Sequence, residues 1–351
     1  MVRACMRRQA DVWSRILTYG SKIGRVENYT AVSAEYTVDG TPVTARRVNG
    51  WYIVVCSNGK IYISNTGESW RVFGGGRSLY DCDVNDNKVV FGVEYSKNSY
   101  SRILRTADYV NWTTLTSYTV TSYNSLTNDD YTSATYCRYH DGYVYASINY
   151  EDVGIDTGGH YYDYFSGYYR YVYKCYSGLD TTDYQSTQAY ALFWKKSKFG
   201  LPPEANHQVF HIDSYINVGG VKTFGYQTIR QVWDGKETYC NYSYYYISHN
   251  GADYSPPVNY APHDIEYYDS SYYLITRAWG VSTYRLYKTT NFSSYTLLDT
   301  VTGLIKKLRK MGDKLVITCY GKFSIIQTGG TKTDYTPSAI SGLQTYDYAE
   351  A

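Results

Sequence analysis

The chain has 351 residues, of which 19% are charged and 18% aromatic, with 47 tyrosines and a formal net charge of +2. So many aromatic residues with so little charge exclude an intrinsically disordered chain, and the balance lacks the basic excess of a nucleic-acid-binding protein. No apolar run approaches the length of a transmembrane helix, so we expect no membrane insertion. Tyr, Val, Thr and Ile favour half-buried pleated surfaces, which predicts an all-β fold.

The N-terminal segment 1–20 differs in character from the rest of the chain. Its apolar residues recur at roughly helical spacing among arginines, which predicts a short amphipathic helical arm. Two interpretations stay open for this arm: docking onto a partner subunit, or a helix folded back on the chain or frayed. The docking interpretation assigns the contact to Arg7, Arg8, Trp13, Ile16 and Leu17.

A tight-turn signal followed by an apolar run recurs along the chain. Asn, Asp, Gly and Ser tolerate the positive φ angles of hairpin turns, and the β-branched and aromatic residues that follow favour strands. Each copy therefore predicts two antiparallel strands joined by a tight turn. The six copies cover residues 48–55, 85–93, 140–148, 218–226, 268–276 and 311–318.

A second signal follows most of these hairpins. It has a hydroxyl residue, then Asp, Asn or a substitute two positions on, and an aromatic residue four positions after that. A short polar side chain in such a place caps its own turn, and the aromatic ring packs under the next strand. The clearest copies place these roles on Ser64, Thr66 and Trp70, on Thr106, Asp108 and Trp112, on Ser248, Asn250 and Tyr254, and on Thr289, Asn291 and Tyr295.

Together the two signals predict a β-propeller of six four-stranded blades. The expected organisation is an arm over 1–20, a connecting segment over 21–42, the propeller over 43–340 and a C-terminal tail over 341–351. A strand near 29–38 is expected to close the ring by pairing with the last blade. A seventh blade drawn from 20–44 is the structural alternative.

The second signal resembles the Asp-box, or BNR, repeat of sialidases and related propellers. Its compact spacing is similar to the form found in many bacteriophage virion propellers, although only Asp108 keeps the acid among the four clearest copies. The resemblance implies that these boxes are structural turns away from any active site. It also implies a virion protein of a tail, collar, fibre or head-decoration position, made in the host cytoplasm and partnered by other virion proteins in a homo- or hetero-oligomer.

The long connections of the predicted propeller are 117–131, 151–167, 194–206 and about 231–238. They are expected at one end of the propeller, over the third and fourth predicted blades, where long loops on a rigid scaffold carry function. Their aromatic rings either recognise a glycan or protein, or pack together to hold the loops down. The candidate binding residues are Asp152, Asp156, Tyr161, Tyr162, Tyr164, Phe165, Trp194, Trp233 and Asp234.

We therefore expect a non-enzymatic structural or adhesion protein that binds a host-surface glycan or a neighbouring virion protein and needs no cofactor or metal. The seven cysteines lack a C-x-x-C pair, and Asp81–Asp86 is expected to be a strand entering its hairpin rather than a calcium loop. The alternative is a sialidase-like glycoside hydrolase, for which acid pairs such as Asp129–Asp130 and Glu151–Asp152 would have to face a cleft.

Overall fold

The computed structural model of the chain describes residues 14–96, 99–119, 131–140, 143–155, 163–176, 184–188, 194–195, 208–233, 238–258, 260, 262–277, 282–303 and 305–350. These residues form seven antiparallel sheets and one short 3-10 turn at Ser338–Ile340. Within them, no helix is long and apolar enough to span a membrane.

Sheets 1 to 4 come from the first half of the chain, except for one strand of sheet 1 that comes from the C-terminus. The strands of this half are β1 (Arg15–Tyr19), β2 (Lys22–Glu27) and β3 (Ala31–Thr37) of sheet 1, β4 (Pro42–Val48), β5 (Trp51–Cys56), β6 (Lys60–Ser64) and β7 (Arg71–Gly74) of sheet 2, β8 (Leu79–Val84), β9 (Val90–Ser96), β10 (Tyr100–Thr106) and β11 (Thr113–Thr119) of sheet 3, and β12 (Tyr131–His140), β13 (Tyr143–Ile155), β14 (Asp163–Tyr176), β15 (Tyr184–Gln188) and β16 (Trp194–Lys195) of sheet 4.

Sheets 5 to 7 follow in the second half. Their strands, with the last strand of sheet 1, are β17 (Gln208–Val218), β18 (Val221–Trp233), β19 (Thr238–His249) and β20 (Ala252–Tyr254) of sheet 5, β21 (Asp264–Tyr268), β22 (Ser271–Arg277), β23 (Thr283–Thr289) and β24 (Thr296–Thr302) of sheet 6, β25 (Ile305–Met311), β26 (Lys314–Cys319), β27 (Lys322–Gln327) and β28 (Lys332–Tyr335) of sheet 7, and β29 (Thr345–Glu350) of sheet 1.

The seven sheets are arranged radially around an axis. In each sheet the strand nearest the axis is called the first strand, which in sheet 1 is the C-terminal strand β29. These first strands contact one another in the closed order β29, β4, β8, β12, β17, β21, β25 and back to β29. This closed ring confirms the predicted β-propeller. The described residues contain seven sheets, so the seventh blade that the sequence left as the alternative is present.

The turn chemistry explains how each hairpin forms. In sheets 2, 3, 5, 6 and 7 a predicted tight turn separates the first strand from the second. In sheet 4, β12 ends at His140 and β13 begins at Tyr143, on either side of the predicted turn. Between β4 and β5, Asn49 and Gly50 have φ values of 49° and 79°. Such positive values belong to the two-residue turn whose twist suits a hairpin.

The core lies between neighbouring sheets. Because sheet 2 is covered on both faces, its second strand β5 is apolar throughout and almost entirely buried. The outer strand β3 of sheet 1 instead alternates between exposed and half-buried residues. One such core cluster joins Ile16 and Ile23 of sheet 1 to Tyr52 and Val54 of sheet 2. The cysteines at 56, 82, 137 and 319 are buried and unpaired, as expected of small strand residues.

The prediction of a helical arm is wrong from Arg15 onward. Residues 15–19 form β1, which pairs with both β2 and β29, and the candidate docking residues Ile16 and Leu17 are fully buried. Their apolar spacing comes from burial on both faces of a strand rather than from a helix. The other candidate docking residues, Arg7, Arg8 and Trp13, lie outside the described residues.

The N-terminal and C-terminal segments that flank the predicted propeller also differ from the prediction. The segment 21–42 holds two strands of sheet 1, and the strand expected to close the ring, β3, is instead the outer edge of that sheet. The segment 341–351, predicted to be a tail, contains β29, whose Tyr348 and Ala349 are fully buried. Sheet 1 thus joins three N-terminal strands to one C-terminal strand, which removes two exposed sheet edges.

Candidate functional site

Eight charged side chains from the first strands meet around the axis, and we call them the axial charge cluster. Charged residues at alternate positions of one strand point to the same side of a sheet, as Asp81 and Asp83 do on β8 and Lys307 and Arg309 on β25. The cluster has four acids and four bases, so its formal charges cancel. Its members are Arg46, Asp81, Asp83, Arg138, Asp264, Lys307, Arg309 and Asp347.

Arg309 occupies the middle of the cluster. Its Nη1 lies 3.1 Å from Asp83 Oδ1, and its Nη2 lies 2.8 Å from Asp347 Oδ2 and 3.0 Å from Thr44 Oγ1. Arg46 adds a second guanidinium, with Nε 2.9 Å from Asp83 Oδ1. Burial opposes ionisation of Asp83, but Arg309 and Arg46 outweigh it and hold the pKa of that carboxyl far below its usual range.

Arg138 on β12 joins the other two acids. It forms an ion pair with Asp81, and its Nη2 lies 3.4 Å from Asp264 Oδ2. Burial raises the pKa of Asp264, and Arg138 only partly offsets this effect. These contacts link β12 to the neighbouring strand β8 and, past β17, to β21, so the cluster stabilises the arrangement of the sheets around the axis.

The cluster separates two cavities at the two ends of the axis. Strands alternate in direction, so the connections from second to third strand and from fourth strand to the next sheet lie at one end, which we call the insertion end. The cavity at the other end has a volume of about 370 Å³ and is lined by Arg46, Asp83, Arg138, Asp264, Glu266 and Arg309 among others. The two acids of the axial charge cluster that line this cavity, Asp83 and Asp264, already form ion pairs with arginines. Neither carboxylate of the cluster is therefore free to act as a catalytic group in this cavity.

The cavity at the insertion end has a volume of about 450 Å³. Its floor contains Asp81 and Lys307, and its walls include Leu79, Tyr80 and Ile305. A second cavity of about 520 Å³ adjoins it and shares Leu79 and Tyr80. We call the first the axial cavity and the second the outer groove. Mainly apolar walls around a few polar groups are typical of small-ligand sites.

Two long hairpins also rise at the insertion end. The second strands β13 of sheet 4 and β18 of sheet 5 have 13 residues each, against 7 in β9 and β22. The difference of six residues extends each hairpin roughly 20 Å beyond the neighbouring sheets. The sequence assigned these segments to loops; much of their length is strand because it is rich in aromatic and β-branched residues.

The predicted binding residues are distributed over these hairpins. Phe165 on β14 lies directly opposite Trp194 on β16 in register, and Tyr164 lies opposite Lys195. Asp152 lies on β13 of the same sheet, whereas Trp233 ends β18 in sheet 5. The structure therefore brings together the backbones of the sheet 4 candidates. The remaining candidates, Asp156, Tyr161, Tyr162 and Asp234, lie outside the described residues.

Three of the four predicted polar turns are capped by side chains. Ser64 Oγ accepts hydrogen bonds from the Gly67 and Thr66 amides, at 2.7 and 3.2 Å, and Thr289 Oγ1 accepts from Phe292 at 2.9 Å. The remaining caps include Asp108 Oδ1, which accepts from Val110, Asn111 and Thr106, and Asn291 Oδ1, which accepts from Ser293 and Ser294. The aromatic residues Trp70, Trp112 and Tyr295 pack against the core.

The turn from Ser248 to Tyr254 has a different structure. Asn250 and Gly251 have φ values of 51° and 82°, and His249 pairs with Ala252 across them. The segment is therefore a tight hairpin, because Asn-Gly favours this turn more strongly than a serine cap does. Tyr254 still packs into the core between sheets 5 and 6.

The axial charge cluster and the axial cavity were not predicted from the sequence. The sequence feature that could have indicated the cluster is the presence of charged residues inside predicted strands. The clearest case is Asp81-Cys82-Asp83, which lies in the strand β8 as expected. Among the residues that the structure describes, no group of three or more His, Cys, Asp or Glu residues could hold a metal ion.

No family model matches the chain, and no curated protein matches it. Similar solved structures include the computationally designed Ika8 protein, with 12% identity over 87% of this chain and 89% of that chain and a TM-score of 0.43. YCF48 from Cyanidioschyzon merolae has 10% identity over 84% of each chain and a TM-score of 0.41. BamB from Moraxella catarrhalis has 8% identity over 94% of this chain and 89% of that chain and a TM-score of 0.37.

Proposed function

We propose that this chain is a non-enzymatic binding propeller that recognises a glycan on a cell surface through its insertion end. The observation that carries the proposal is the position of the two extended hairpins of sheets 4 and 5, which rise at the same end as the axial cavity. A rigid ring with its longest connections gathered at one end is a common arrangement for recognition. Tyrosine-rich segments suit it, since tyrosine combines a flat ring with a polar tip.

We further propose that the propeller is a component of a bacteriophage particle and that the glycan is on the host surface. This part of the proposal is supported by the compact spacing of the capped turns, which resembles that of virion propellers. Residues 1–13, which precede β1, would then join the propeller to another virion protein. This joining role is tested by deletion of residues 1–13, which leaves every described strand intact. Unchanged incorporation of the shortened chain into particles would reject it.

Glycoside hydrolysis is the alternative activity, and it requires two carboxyl groups facing each other across a cleft. Asp81 is the single carboxylate among the described residues that line the axial cavity. Of its two oxygens, Oδ2 already accepts hydrogen bonds from the Cys137 amide and Arg138. The described part of this cavity thus supports binding rather than hydrolysis.

The test is attachment of the purified fluorescent chain to host cells. The double variant Tyr161→Ala with Trp233→Ala is expected to lose most attachment while keeping the thermal midpoint of the parent. The matched control is Tyr320→Ala, an exposed tyrosine in the connection between β26 and β27, which lies outside sheets 4 and 5 and lines neither cavity. Periodate treatment of the cells, which destroys vicinal diols of glycans, should abolish attachment, whereas protease treatment should not.

Unchanged attachment by the double variant would overturn the proposed surface. Attachment that survives periodate but not protease would replace the glycan with a protein partner. Turnover of a surface polysaccharide in the same assay would favour the hydrolase.

A further inference from the structure

We propose that the axial cavity binds one neutral sugar residue, and that the glycan chain leaves it past Tyr80 along the outer groove. This inference deepens the proposed function by naming the ligand class of the insertion end, and it rests on that function for the source of the glycan. Lys307, Asp81, the charge balance of the cluster and the shape of the two cavities support it.

Lys307 is buried without a hydrogen-bond partner among the described residues. It is only 5% exposed, and its ammonium lies 3.8 Å from Asp81 Oδ1 and 3.7 Å from Asp347 Oδ2, too far for hydrogen bonds to either. An ammonium group has three N–H donors, and burying these donors without hydrogen-bond acceptors costs free energy. Lys307 lines the axial cavity, and its buried ammonium is a donor that no described residue uses.

Asp81 presents the matching acceptor. Its Oδ2 is occupied by the Cys137 amide and Arg138, whereas Oδ1 has only the distant Lys307 ammonium within ion-pair range in the described part of the chain. A hydroxyl group donates one hydrogen bond and accepts others. A hydroxyl oxygen roughly 2.8 Å from both groups can accept from Lys307 and donate to Asp81 at once.

The charge balance indicates a neutral ligand. The four acids and four bases of the axial charge cluster cancel, so a bound anion or cation would leave an unpaired charge in a buried place. An acidic sugar would also bring its carboxylate to an ammonium that already lies within 4.0 Å of two aspartates. A polyol satisfies the open donor and acceptor without adding charge.

The walls and the second cavity indicate a ring within a chain. Leu79, Ile305 and Pro42 offer apolar contacts for the C–H faces of a sugar. Tyr80 is 55% exposed and lies at the boundary of the two cavities, where its ring can stack on the next sugar. The outer groove continues past it to polar side chains at Asn58 and Arg77.

The test is saturation-transfer NMR on the full chain with methyl glycosides of glucose, galactose, mannose and N-acetylglucosamine, and with N-acetylneuraminic acid as the acidic comparison. At least one neutral glycoside is expected to bind, and more tightly than the acid. Lys307→Met and Tyr80→Ala should each weaken that binding by about tenfold or more. Tyr320→Ala, an exposed tyrosine outside both cavities, should leave it unchanged.

Lys307→Met must keep the parent's circular dichroism spectrum; if it does not fold, Tyr80→Ala, at an exposed position, decides the matter alone. The inference fails if no neutral glycoside binds at millimolar concentration, if the acid binds better, or if Tyr80→Ala binds as the parent does. Cell attachment separates the two proposals. Attachment that is lost in the Tyr161→Ala and Trp233→Ala variant, without glycoside binding in the cavity, rejects only this inference. Glycoside binding with attachment unaffected by that variant rejects only the proposed surface.

Discussion

Arg309 on β25 binds Asp83 on β8 across the propeller axis, with Nη1 3.1 Å from Oδ1, although 226 positions separate them in the chain. The same guanidinium binds Asp347 on β29, the strand that closes the ring. One side chain therefore joins sheets 7, 3 and 1. Because all three groups are buried, removing one partner leaves the others as charges without compensation.

Replacing Arg309 with methionine is expected to lower the free energy of unfolding by about 3–5 kcal/mol, since two buried carboxylates lose their main partner. Urea denaturation measures this change. Lys310→Met, at the next and exposed position, should stay within about 0.5 kcal/mol of the parent. Equal stability of the Arg309→Met variant and the parent would show that the axial charge cluster does not hold the sheets together.

The pH dependence of stability follows from the same cluster. Burial opposes ionisation of Asp83 and Asp347, but Arg309 outweighs it, so the pKa of each carboxyl is lowered on folding. Their contribution is complete above the unfolded pKa of about 3.9 and is lost as pH falls below it. Asp264, whose pKa is raised by burial, acts in the opposite direction and favours folding at low pH.

We therefore expect the free energy of unfolding to fall between about pH 4 and pH 2, with a shallower fall in Asp83→Asn. Urea titrations across this range measure both slopes. A parent protein as stable at pH 3 as at pH 7, or an unchanged slope in the variant, would contradict the assignment.

Closure of the ring by β29 is tested at Tyr348, which is fully buried and packs against Phe323 with ring centroids 5.6 Å apart. Tyr348→Ala is expected to cost about 3–5 kcal/mol, because it opens a large cavity between sheets 1 and 7. The control, Leu343→Ala, lies just before β29 and is 37% exposed. If both variants melt at the parent temperature, the C-terminal strand does not close the propeller.

The difference between the capped turns and the Asn-Gly hairpin gives a matched pair of serines. Ser64→Ala removes the acceptor of the Gly67 amide and should cost about 1–3 kcal/mol. Ser248→Ala should cost less, since the positive φ angles of Asn250 and Gly251 form that turn without the serine. Denaturant midpoints of the two variants measure the difference, and equal losses would contradict it.

The fold could be predicted from the sequence because its information is local. Each tight turn and each capped turn involves residues within a few positions of one another, such as Asn49 and Gly50. Sheet 1 was assigned only as an alternative because its strands come from both ends of the chain. Ile16 and Leu17 also fit a helical spacing when the C-terminal strand that pairs with them is not known.

The axial charge cluster could not be predicted because it depends on which side of a strand faces the axis. Arg309 and Asp83 look like ordinary surface charges until six other first strands surround them. The insertion end lies between these cases. The lengths of its connections are visible in the sequence. The pairing of Phe165 with Trp194, however, depends on the two-residue strand β16, whose position on β14 no local pattern indicates.

The proposal that only the insertion end binds is tested most directly by blocking each end in turn. A short epitope tag is inserted in the connection at Gly321, at the insertion end of sheet 7, or at Gly312, at the opposite end of the same sheet. Both turns leave space around the glycine. An anti-tag antibody fragment should abolish cell attachment of the Gly321 variant and leave that of the Gly312 variant intact. Loss of attachment with the Gly312 variant, or its survival with the Gly321 variant, would contradict the proposal.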